Sequence, residues 1–446
     1  MPSRTKLPMP VALVLMAAII ATPLVFGAAN SVHAVRAASL YPYTLVDLGT
    51  LGGPQAGQGN APSLSGPGVA VGTADTAMID PYGINENGAF NGDPYVQHTF
   101  LWRGGVLTDL GALGPVSANN SSYPNGVNAE GDAAGISDNG TIDPLVGGEE
   151  TNAVLWKSGQ IVNLGTLGGN ESQAFALNNR DQVVGVAANA IPDPLSMLGW
   201  GTQSRAFLWK DGSMRDLGTL GGPDSFAWNI NAGGQIAGVS YTSAIPNPLT
   251  GQPPTDVFLW ENGSLRDLGS LGGGVPTFDG IRGLNDRGEV VGMSFLASAP
   301  GAHPFLWNGK QMIDLGTLGG QNGFATGVNQ NGVVVGIAQL ADGTHHAFLW
   351  MNGTMHDLPP LAGSRCSNGN AINAQDVVVG RDGDCHGGGL AAMIWQHGIP
   401  HDLNTLIAPT TLDLIDALSI NDRGEIIGEG VLPNGNVHNF LLIPNF

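Results

Sequence analysis

Histidine, aspartate and cysteine are the residue types in this sequence that could do chemistry, and the first two recur in register. Histidine stands two residues before a phenylalanine in four separate segments, at His98, His303, His346 and His438. An aspartate or asparagine also recurs, at Asp47, Asp109, Asn163, Asp216, Asp267, Asp314, Asp357 and Asp402. Histidines and carboxylates together could bind a metal. Because they belong to different units of a repeat, we interpret them as structural, with each histidine hydrogen-bonded to a turn or to an aspartate.

The two cysteines, Cys366 and Cys385, fall in one repeat unit. A hairpin turn at residues 373–376 separates them. Counting outward from that turn, Cys366 faces Asp384 or, with one bulged residue, Cys385. Facing residues on paired strands have β-carbons ~4.5–5.5 Å apart, which is close enough for a disulfide. We therefore predict a Cys366–Cys385 disulfide, with two free buried thiols as the alternative.

The sequence contains no recognised catalytic motif. It has no GxSxG, HExxH, GxxxxGK[ST] or CxxC segment. Carboxylates are plentiful, with 36 acidic against 16 basic residues and a net charge of −20. Such an excess argues against nucleic acid as a partner, because nucleic-acid binding needs basic patches. Nothing in the sequence calls for a cofactor, and no motif supports a Ca²⁺ site.

The elements that position these residues form a repeat. A phrase close to FLW, a glycine-containing turn and a phrase close to DLGTLGG recur eight times, and the FLW tryptophans are Trp102, Trp156, Trp209, Trp260, Trp307, Trp350 and Trp395. Each unit predicts four antiparallel strands, A to D. Strands A and B meet at an Asn-x-x-Gly type of turn, C carries FLW, and D ends in DLG.

Repeated four-stranded units predict an all-β fold, a single closed β-propeller. We expect eight blades; the first A–B hairpin, at residues 64–72, matches poorly, so seven is the alternative. The chain begins with a D-like strand and ends with a C-like strand. The N-terminal strand is therefore expected to complete the last blade and close the ring, hiding two edges.

Residues 1–38 precede the repeat domain, which we place at residues 41–446. Arg4 and Lys6, a long apolar stretch and small residues after it are typical of a signal peptide, with an uncleaved membrane anchor as the alternative. No other apolar run is long enough to span a bilayer. The mature chain is thus expected to be secreted or on the cell surface, where a disulfide would persist.

The phrases at residues 216–222 (DLGTLGG), 346–350 (HAFLW) and 420–428 (INDRGEIIG) resemble the HAF-type bacterial extracellular repeat. The resemblance covers nearly the whole mature chain. It implies a secreted or surface-associated bacterial protein and no particular activity. The seventh unit departs from the pattern, with Pro359-Pro360 in place of Gly-Thr and with both cysteines.

Function is expected where the repeat is broken. The first four units carry insertions between strands B and C, each with a proline turn preceded by Asp80, Asp143, Asp193 or Asn247. Since the B–C and D–A connections emerge on one face, these insertions should line half of one rim. Off-pattern aromatics lie in or beside them or on the A strand, and we assign the following residues as ligand-binding: Trp200, Trp228, Tyr82, Tyr95, Tyr241, Asp80, Asp143 and Asp193.

Aromatic residues beside carboxylates suit sugar stacking, peptide docking or a cation site. Packing of the long loops is the structural alternative for the same residues. The sequence favours a non-enzymatic binding or scaffold propeller whose partner is an extracellular glycan, peptide or protein. The alternative is a carbohydrate-active lyase or hydrolase at the channel mouth. Paired carboxylates with a basic or tyrosine partner near the channel would favour the enzyme.

Overall fold

The computed structural model describes residues 41–57, 62–80, 94–114, 119–145, 147–248, 251–276, 280–297 and 301–445. The predicted signal peptide and Tyr82 lie outside these residues. Within them, no helix has the length and apolar character to cross a membrane. The one helix there is a short 3-10 turn, Leu403–Leu406, and everything else is strand or connection.

The strands form eight sheets, one for each predicted blade. In chain order they are β1 (Tyr43–Asp47); in blade 1, β2 (Gly52–Ala56), β3 (Ser63–Leu64), β4 (Ala70–Ile79), β5 (Tyr95–Arg103) and β6 (Val106–Asp109); in blade 2, β7 (Ser122–Val127), β8 (Ala133–Ile142), β9 (Glu149–Lys157) and β10 (Gln160–Asn163); in blade 3, β11 (Gly168–Leu177), β12 (Val183–Pro192), β13 (Thr202–Lys210) and β14 (Ser213–Asp216); in blade 4, β15 (Ser225–Ile230), β16 (Ile236–Tyr241), β17 (Thr255–Glu261) and β18 (Ser264–Gly269).

The second half continues in the same way. Its strands are, in blade 5, β19 (Ile281–Leu284), β20 (Val290–Phe295), β21 (Ala302–Trp307) and β22 (Met312–Asp314); in blade 6, β23 (Gly319–Val328), β24 (Val334–Leu340), β25 (His345–Met351) and β26 (Thr354–Leu358); in blade 7, β27 (Cys366–Ile372), β28 (Val378–Gly383), β29 (Ala391–Gln396) and β30 (Ile399–Asp402); in blade 8, β31 (Asp413–Ile420), β32 (Ile426–Val431) and β33 (Val437–Pro444).

The predicted β-propeller with eight blades is confirmed. The first A strand, whose match was weakest, is present in two pieces, because β2 and β3 both pair with β4. A strands contact the A strands of neighbouring blades and are innermost, whereas the short D strands are the outermost. The FLW phenylalanines are fully buried between blades, as Phe207 and Phe305 show.

The C–D turns of blades 3, 4 and 6 have the conformation that their Asp-Gly and Asn-Gly pairs predict. Asp211 and Gly212, which join β13 to β14, have φ angles of 51° and 82°. Two consecutive residues with positive φ make the type I′ turn that matches strand twist, and Asp, Asn and Gly tolerate that conformation best. Gly185 in β12 is needed for a different reason: a β-carbon there would lie 1.9 Å from the Gln173 carbonyl oxygen.

The ring closes as predicted. β1 pairs antiparallel with β33, from Tyr43 opposite Pro444 to Asp47 opposite Phe440, and supplies the fourth strand of blade 8. His438 Nδ1 lies 2.9 Å from a carboxylate oxygen of Asp47 across this seam. The same His–Asp contact occurs within blades 1, 5 and 6, which confirms the structural interpretation of the histidine series.

The Cys366–Cys385 disulfide is present, with a Cα–Cα distance of 5.0 Å. The predicted register was wrong in detail. Cys366 faces Gly383, because the bulged residue lies on strand A, between Gly369 and Ala371, and not on strand B. Cys385 reaches back to the bond from just beyond the strand end, with a φ of 73°.

Deleting residues 41–48 removes β1 and should expose the β33 edge, whose backbone groups then lose their partners. We expect loss of cooperative urea unfolding or aggregation, measured by circular dichroism and by light scattering after size exclusion. A monomeric deletion variant with an unchanged melting temperature would contradict closure by this strand.

Candidate functional site

The B–C and D–A connections lie on one face of the ring, here called the insert face. Its B–C connections are residues 80–94, 143–148, 193–201 and 242–254 in blades 1 to 4, and 296–301, 341–344, 384–390 and 432–436 in blades 5 to 8. Part of each insertion in blades 1 to 3 is strand, because β4, β8 and β12 each run for ten residues. The connection in blade 2 is therefore shorter than the sequence predicted.

The aspartates of the inserts build their loops. Asp143 Oδ1 accepts a hydrogen bond from Leu145 N at 2.5 Å, and Asp193 Oδ1 accepts one from Leu195 N at 2.9 Å. The Asp143 N–H donates to Gly148 O, and the Asp193 N–H to Gly201 O. A proline between the two ends of such a turn fixes its backbone, which explains the recurring Asp-Pro pair. In blade 1, Asp80 N donates to Pro94 O.

Two of these aspartates lie beside a carboxylate from the next blade. Glu171, at the start of blade 3, accepts hydrogen bonds from Thr151 N and Thr151 Oγ1. Burial raises the pKa of Glu171 to about 7, and the charges of Asp143 and Glu150 add to the effect. Burial likewise raises the pKa of Asp224, at the start of blade 4, to about 7, and the charge of Asp193 adds to it. The insert face therefore carries buried acidic pairs at two adjacent blade junctions.

A third buried acid lies in the same half of the ring. Burial raises the pKa of Asp138 in β8 to about 7, and the nearby charges of Glu149, Asp80 and Glu171 act in the same direction. Ser121 N donates to Asp138 Oδ2. The predicted residues Asp80 and Asp143 are thus joined electrostatically to carboxylates that sequence reasoning missed.

The predicted aromatic residues are more enclosed than a stacking platform requires. Trp200 is 8% exposed and packs in the core between blades 3 and 4. Tyr241 is buried, and its hydroxyl donates to Gln252 Oε1 at 2.9 Å. Burial raises the pKa of Tyr241 to about 12, and the charges of Asp224 and Asp193 add to it. The structure therefore brings Trp200, Tyr241 and Asp193 together around the junction of blades 3 and 4.

Trp228 and Tyr95 lie on strands. Trp228 is the bulged residue of β15 and stacks on Phe175 of blade 3, with ring centroids 4.3 Å apart. Tyr95 begins β5 and faces Ile79. Tyr82 lies outside the described residues. Trp228 thus packs one innermost strand against the next, at the edge of the same hydrophobic core that contains Trp200.

Sequence reasoning missed a row of exposed aliphatic side chains on the insert face. Each precedes or follows a proline turn, and the exposed fractions run from 55% to 77% for Ile79, Ile142, Leu145, Ile191 and Ile245. The signal was in the sequence, because an isoleucine stands just before every Asp-Pro, Pro-Asp or Pro-Asn pair of the four inserts. Exposed apolar side chains that recur on adjacent blades mark an interaction surface.

A cavity of about 680 Å³ continues this face between blades 4 and 5. Its lining includes Tyr241, Gln252, Pro254, Asp256 and Phe295. Phe295 is itself 45% exposed, so the aliphatic row runs into an apolar wall of the cavity. A pocket of this size holds a side chain or a short peptide segment.

The other half of the insert face has a smaller, polar cavity. A cavity of about 240 Å³ is lined by His345, Arg381, Asn368 and the disulfide. His345 Nδ1 lies 3.5 Å from Cys366 Sγ, and a donor atom of each of His345, Cys366 and Cys385 lies within 4.8 Å of the other two. The sulfur atoms are bonded to each other, so the oxidised group offers no thiolate to a metal.

Two carboxylates of blade 8, Asp416 and Glu429, lie near a basic residue of blade 7, Arg381. Asp416 in β31 faces Glu429 in β32. Asp416 accepts hydrogen bonds from Asn370 Nδ2 at 2.6 Å and from Arg381 Nη1 at 3.1 Å. Burial raises the pKa of Glu429 to about 7; the charge of Asp416 adds to the effect and that of Arg381 opposes it. Paired carboxylates with a basic partner are the arrangement expected to favour an enzyme.

The Glu429 carboxyl should make stability depend on pH. Its pKa rises from 4.5 in the unfolded chain to about 7, so the neutral form is favoured by folding. The stability it contributes is complete below pH 4.5 and is lost as the pH rises through about 7, by at most ~3 kcal/mol. Glu429→Gln should flatten urea-unfolding free energies between pH 5 and 8, whereas Glu130→Gln, at an exposed site, should not. Equal pH profiles for the wild type and Glu429→Gln would contradict this assignment.

No protein family and no curated protein matches the chain. Solved structures that it resembles include the β-propeller domain of the trilobed protease from Pyrococcus furiosus, at 11% identity over 69% of this chain and 97% of that one, with a TM-score of 0.32. Another is a gluconolactonase from Xanthomonas campestris, at 9% identity over 90% of this chain and 89% of that one, with a TM-score of 0.33. A third is TolB from Acinetobacter baumannii, at 11% identity over 90% of this chain and 96% of that one, with a TM-score of 0.33. Likenesses this distant carry no argument about activity.

Proposed function

We propose that this protein is an extracytoplasmic binding propeller whose insert face binds a protein or peptide partner. The observation that carries the proposal is the row of exposed aliphatic residues on adjacent blades. Ile79, Ile142 and Ile191 lie at the ends of strands, next to the loops of the inserts. Asp143 and Asp193 close the loops that follow Ile142 and Ile191. Binding residues are commonly found on loops positioned by such a scaffold.

A polypeptide partner fits this surface better than a glycan does. Sugar rings are bound by the open faces of aromatic side chains, yet Trp200 and Tyr241 are buried and Trp228 is stacked on Phe175. The exposed residues are isoleucine and leucine, which pack against apolar side chains. The 680 Å³ cavity beside Phe295 can receive one anchoring side chain of the partner.

Three features support a place outside the cytoplasm. The disulfide would persist in an oxidising compartment, the N-terminal segment has the composition of a signal peptide, and the repeat phrases are similar to HAF-type bacterial extracellular repeats. The net charge of −20 argues against nucleic acid as the partner. We include membership of that repeat group in the proposal.

The test compares two sets of exposed aliphatic residues on opposite faces of the ring. Ile142→Ser/Ile191→Ser/Ile245→Ser alters the insert face. Val106→Ser/Ile399→Ser alters exposed residues of 63% and 59% exposure, at the C–D turns on the opposite face. We expect peptides selected from a random display library on the wild-type protein to bind the triple variant at least about tenfold more weakly, a loss of ~1.4 kcal/mol or more. Binding to the control should be unchanged.

Equal loss in both variants, or none in the triple variant, would contradict the assignment of this face. Circular dichroism and thermal melting establish that both variants fold. A glycan array probed in parallel covers the other partner class. Strong glycan binding that the triple variant retains would place recognition away from the aliphatic row.

A carbohydrate-active hydrolase or lyase is the second candidate, and the Asp416–Glu429 pair favours it. Glu429, with a pKa near 7, could act as a general acid. Burial raises the pKa of Asp416, and its hydrogen bonds from Arg381 and Asn370 oppose that effect. If so, the wild type should cleave a member of a polysaccharide panel, and Glu429→Gln should lose at least about a hundredfold in rate. Absence of cleavage by the wild type, or retention of full rate by Glu429→Gln, would remove this candidate.

A further inference from the structure

The junction of blades 3 and 4 contains a carboxylate oxygen with no partner among the described residues. Asp193 is 8% exposed, and its Oδ1 closes the loop turn by accepting from Leu195 N. Its other oxygen, Oδ2, is buried and accepts no hydrogen bond from any described group. Burying a carboxylate oxygen without a partner is costly, and such groups in folded proteins are normally paired or bound to a metal.

A second buried carboxylate faces the same place. Asp224 is fully buried, and its two oxygens accept from Met197 N at 2.6 Å and Ser204 N at 3.0 Å. Met197 belongs to the loop that Asp193 begins, so both carboxylates hold the same loop through N–H groups two residues apart. Arg205 is the nearest basic residue that affects Asp224, and it is already paired with Asp216 and Pro223 O. The pair therefore keeps an excess of negative charge.

Blade 4 shows that the loop does not need an aspartate at this position. There Asn247 occupies the place of Asp193, and Asn247 N donates to Gln252 O at 2.9 Å in the same closing contact. Val275, which bonds to Thr255 at the start of β17 as Asp224 bonds to Ser204 in β13, takes the place of Asp224 and is apolar. Blade 3 therefore has an acid at both positions, whereas blade 4 has an acid at neither. Turn formation alone does not explain this difference.

We propose that Asp193 and Asp224 bind a divalent cation of the calcium type between blades 3 and 4. Two carboxylates supply the charge, and Ca²⁺ takes its remaining ligands from main-chain carbonyls and water, with a flexible geometry. Zinc and copper fit less well, because the site offers oxygen ligands and no imidazole or thiolate among the described residues. The ion would join the loop that follows Ile191 and Pro192 to the start of the next blade.

The proposal goes beyond the proposed function, since it needs no partner. Trp200 lies in the same loop and next to Gly201, which bonds to Asp193, so it can sensitise the luminescence of Tb³⁺ bound in place of Ca²⁺. We expect saturable Tb³⁺ luminescence on tryptophan excitation, competed by Ca²⁺ and far less by Mg²⁺. Calcium should raise the melting temperature of the wild type above its value in EDTA.

Asp193→Asn is the test variant, because Asn247 shows that asparagine closes this loop. It should bind Ca²⁺ at least about tenfold more weakly in titration calorimetry, because the affinity of oxygen-ligand sites follows the number of charged ligands. Asp211→Asn is the matched control: it removes one charge at an exposed C–D turn, where Asn262 and Asn352 occupy the same position in blades 4 and 6. Asp143→Asn tests the neighbouring junction and should leave this site unchanged.

Several outcomes would overturn the proposal. A wild type that shows neither Tb³⁺ luminescence nor a calcium-dependent melting temperature has no such site. Calcium affinity that survives in Asp193→Asn but is lost in Asp143→Asn places the ion at the other junction. If Asp193→Asn raises the melting temperature equally in EDTA and in calcium, calcium does not stabilise the wild type at this site. The repulsion between the two carboxylates is then reduced by protonation and not by a bound ion. None of these outcomes depends on whether the insert face binds a peptide.

Discussion

The ring depends on a chain of asparagine side chains that joins consecutive blades from blade 3 through blade 8 to blade 1. The first residue of the A–B turn caps its own turn through Oδ1, as Asn285 does by accepting from Arg287 N and Glu289 N. Its Nδ2 then donates to the carbonyl of the corresponding turn residue one blade on. Asn178 donates to Asn231 O, and the series continues through Asn231, Asn285, Asn329 and Asn373 to Asn421, which donates to Ser65 O of blade 1. An amide can both accept and donate in this way, whereas an ionised carboxylate can only accept, so the column is asparagine and not aspartate.

The consequence is that blades are fixed to one another by polar as well as apolar contacts. The asparagines are buried, and losing one would leave the next blade's carbonyl without its partner, a cost of ~1–3 kcal/mol. A second set of contacts runs through the bulged residues of the A strands. Asn125 donates to Ala174 O and Thr326 to Gly369 O, while Phe175 stacks on Trp228 in the corresponding place. The same backbone bulge therefore accepts either a hydrogen bond or an aromatic stack between blades.

The sequence predicted the repeated strands and turns, but not the bulge in the A strands or the burial of side chains in the inserts. The turn residues, FLW strands and strand counts followed from spacing alone, because each blade repeats the same local physics eight times. The disulfide register shifted by one residue, since a bulge inside strand A leaves no mark in a single unit. The burial of Trp200 could not be predicted from the sequence for another reason. An insert occurs once, and whether its tryptophan is exposed or buried depends on contacts with Val186 and Phe226 from other strands. The isoleucines beside the prolines were visible, yet only the prolines and aspartates were used to predict a site.

The separation between scaffold and inserts explains where function can arise in such a ring. In the repeated positions nearly every polar group has an assigned partner: histidine with aspartate, aspartate with the glycine N–H two residues on, asparagine with the next blade. Substituting one of them disturbs a contact that the neighbouring blades share. The inserts of blades 1 to 4 lie outside this repeated set of contacts, and Asp143 and Asp193 close turns within the inserts themselves. Exposed isoleucines and buried acidic pairs can therefore accumulate there without loss of the ring, and the closed ring supplies the rigidity that keeps them in place.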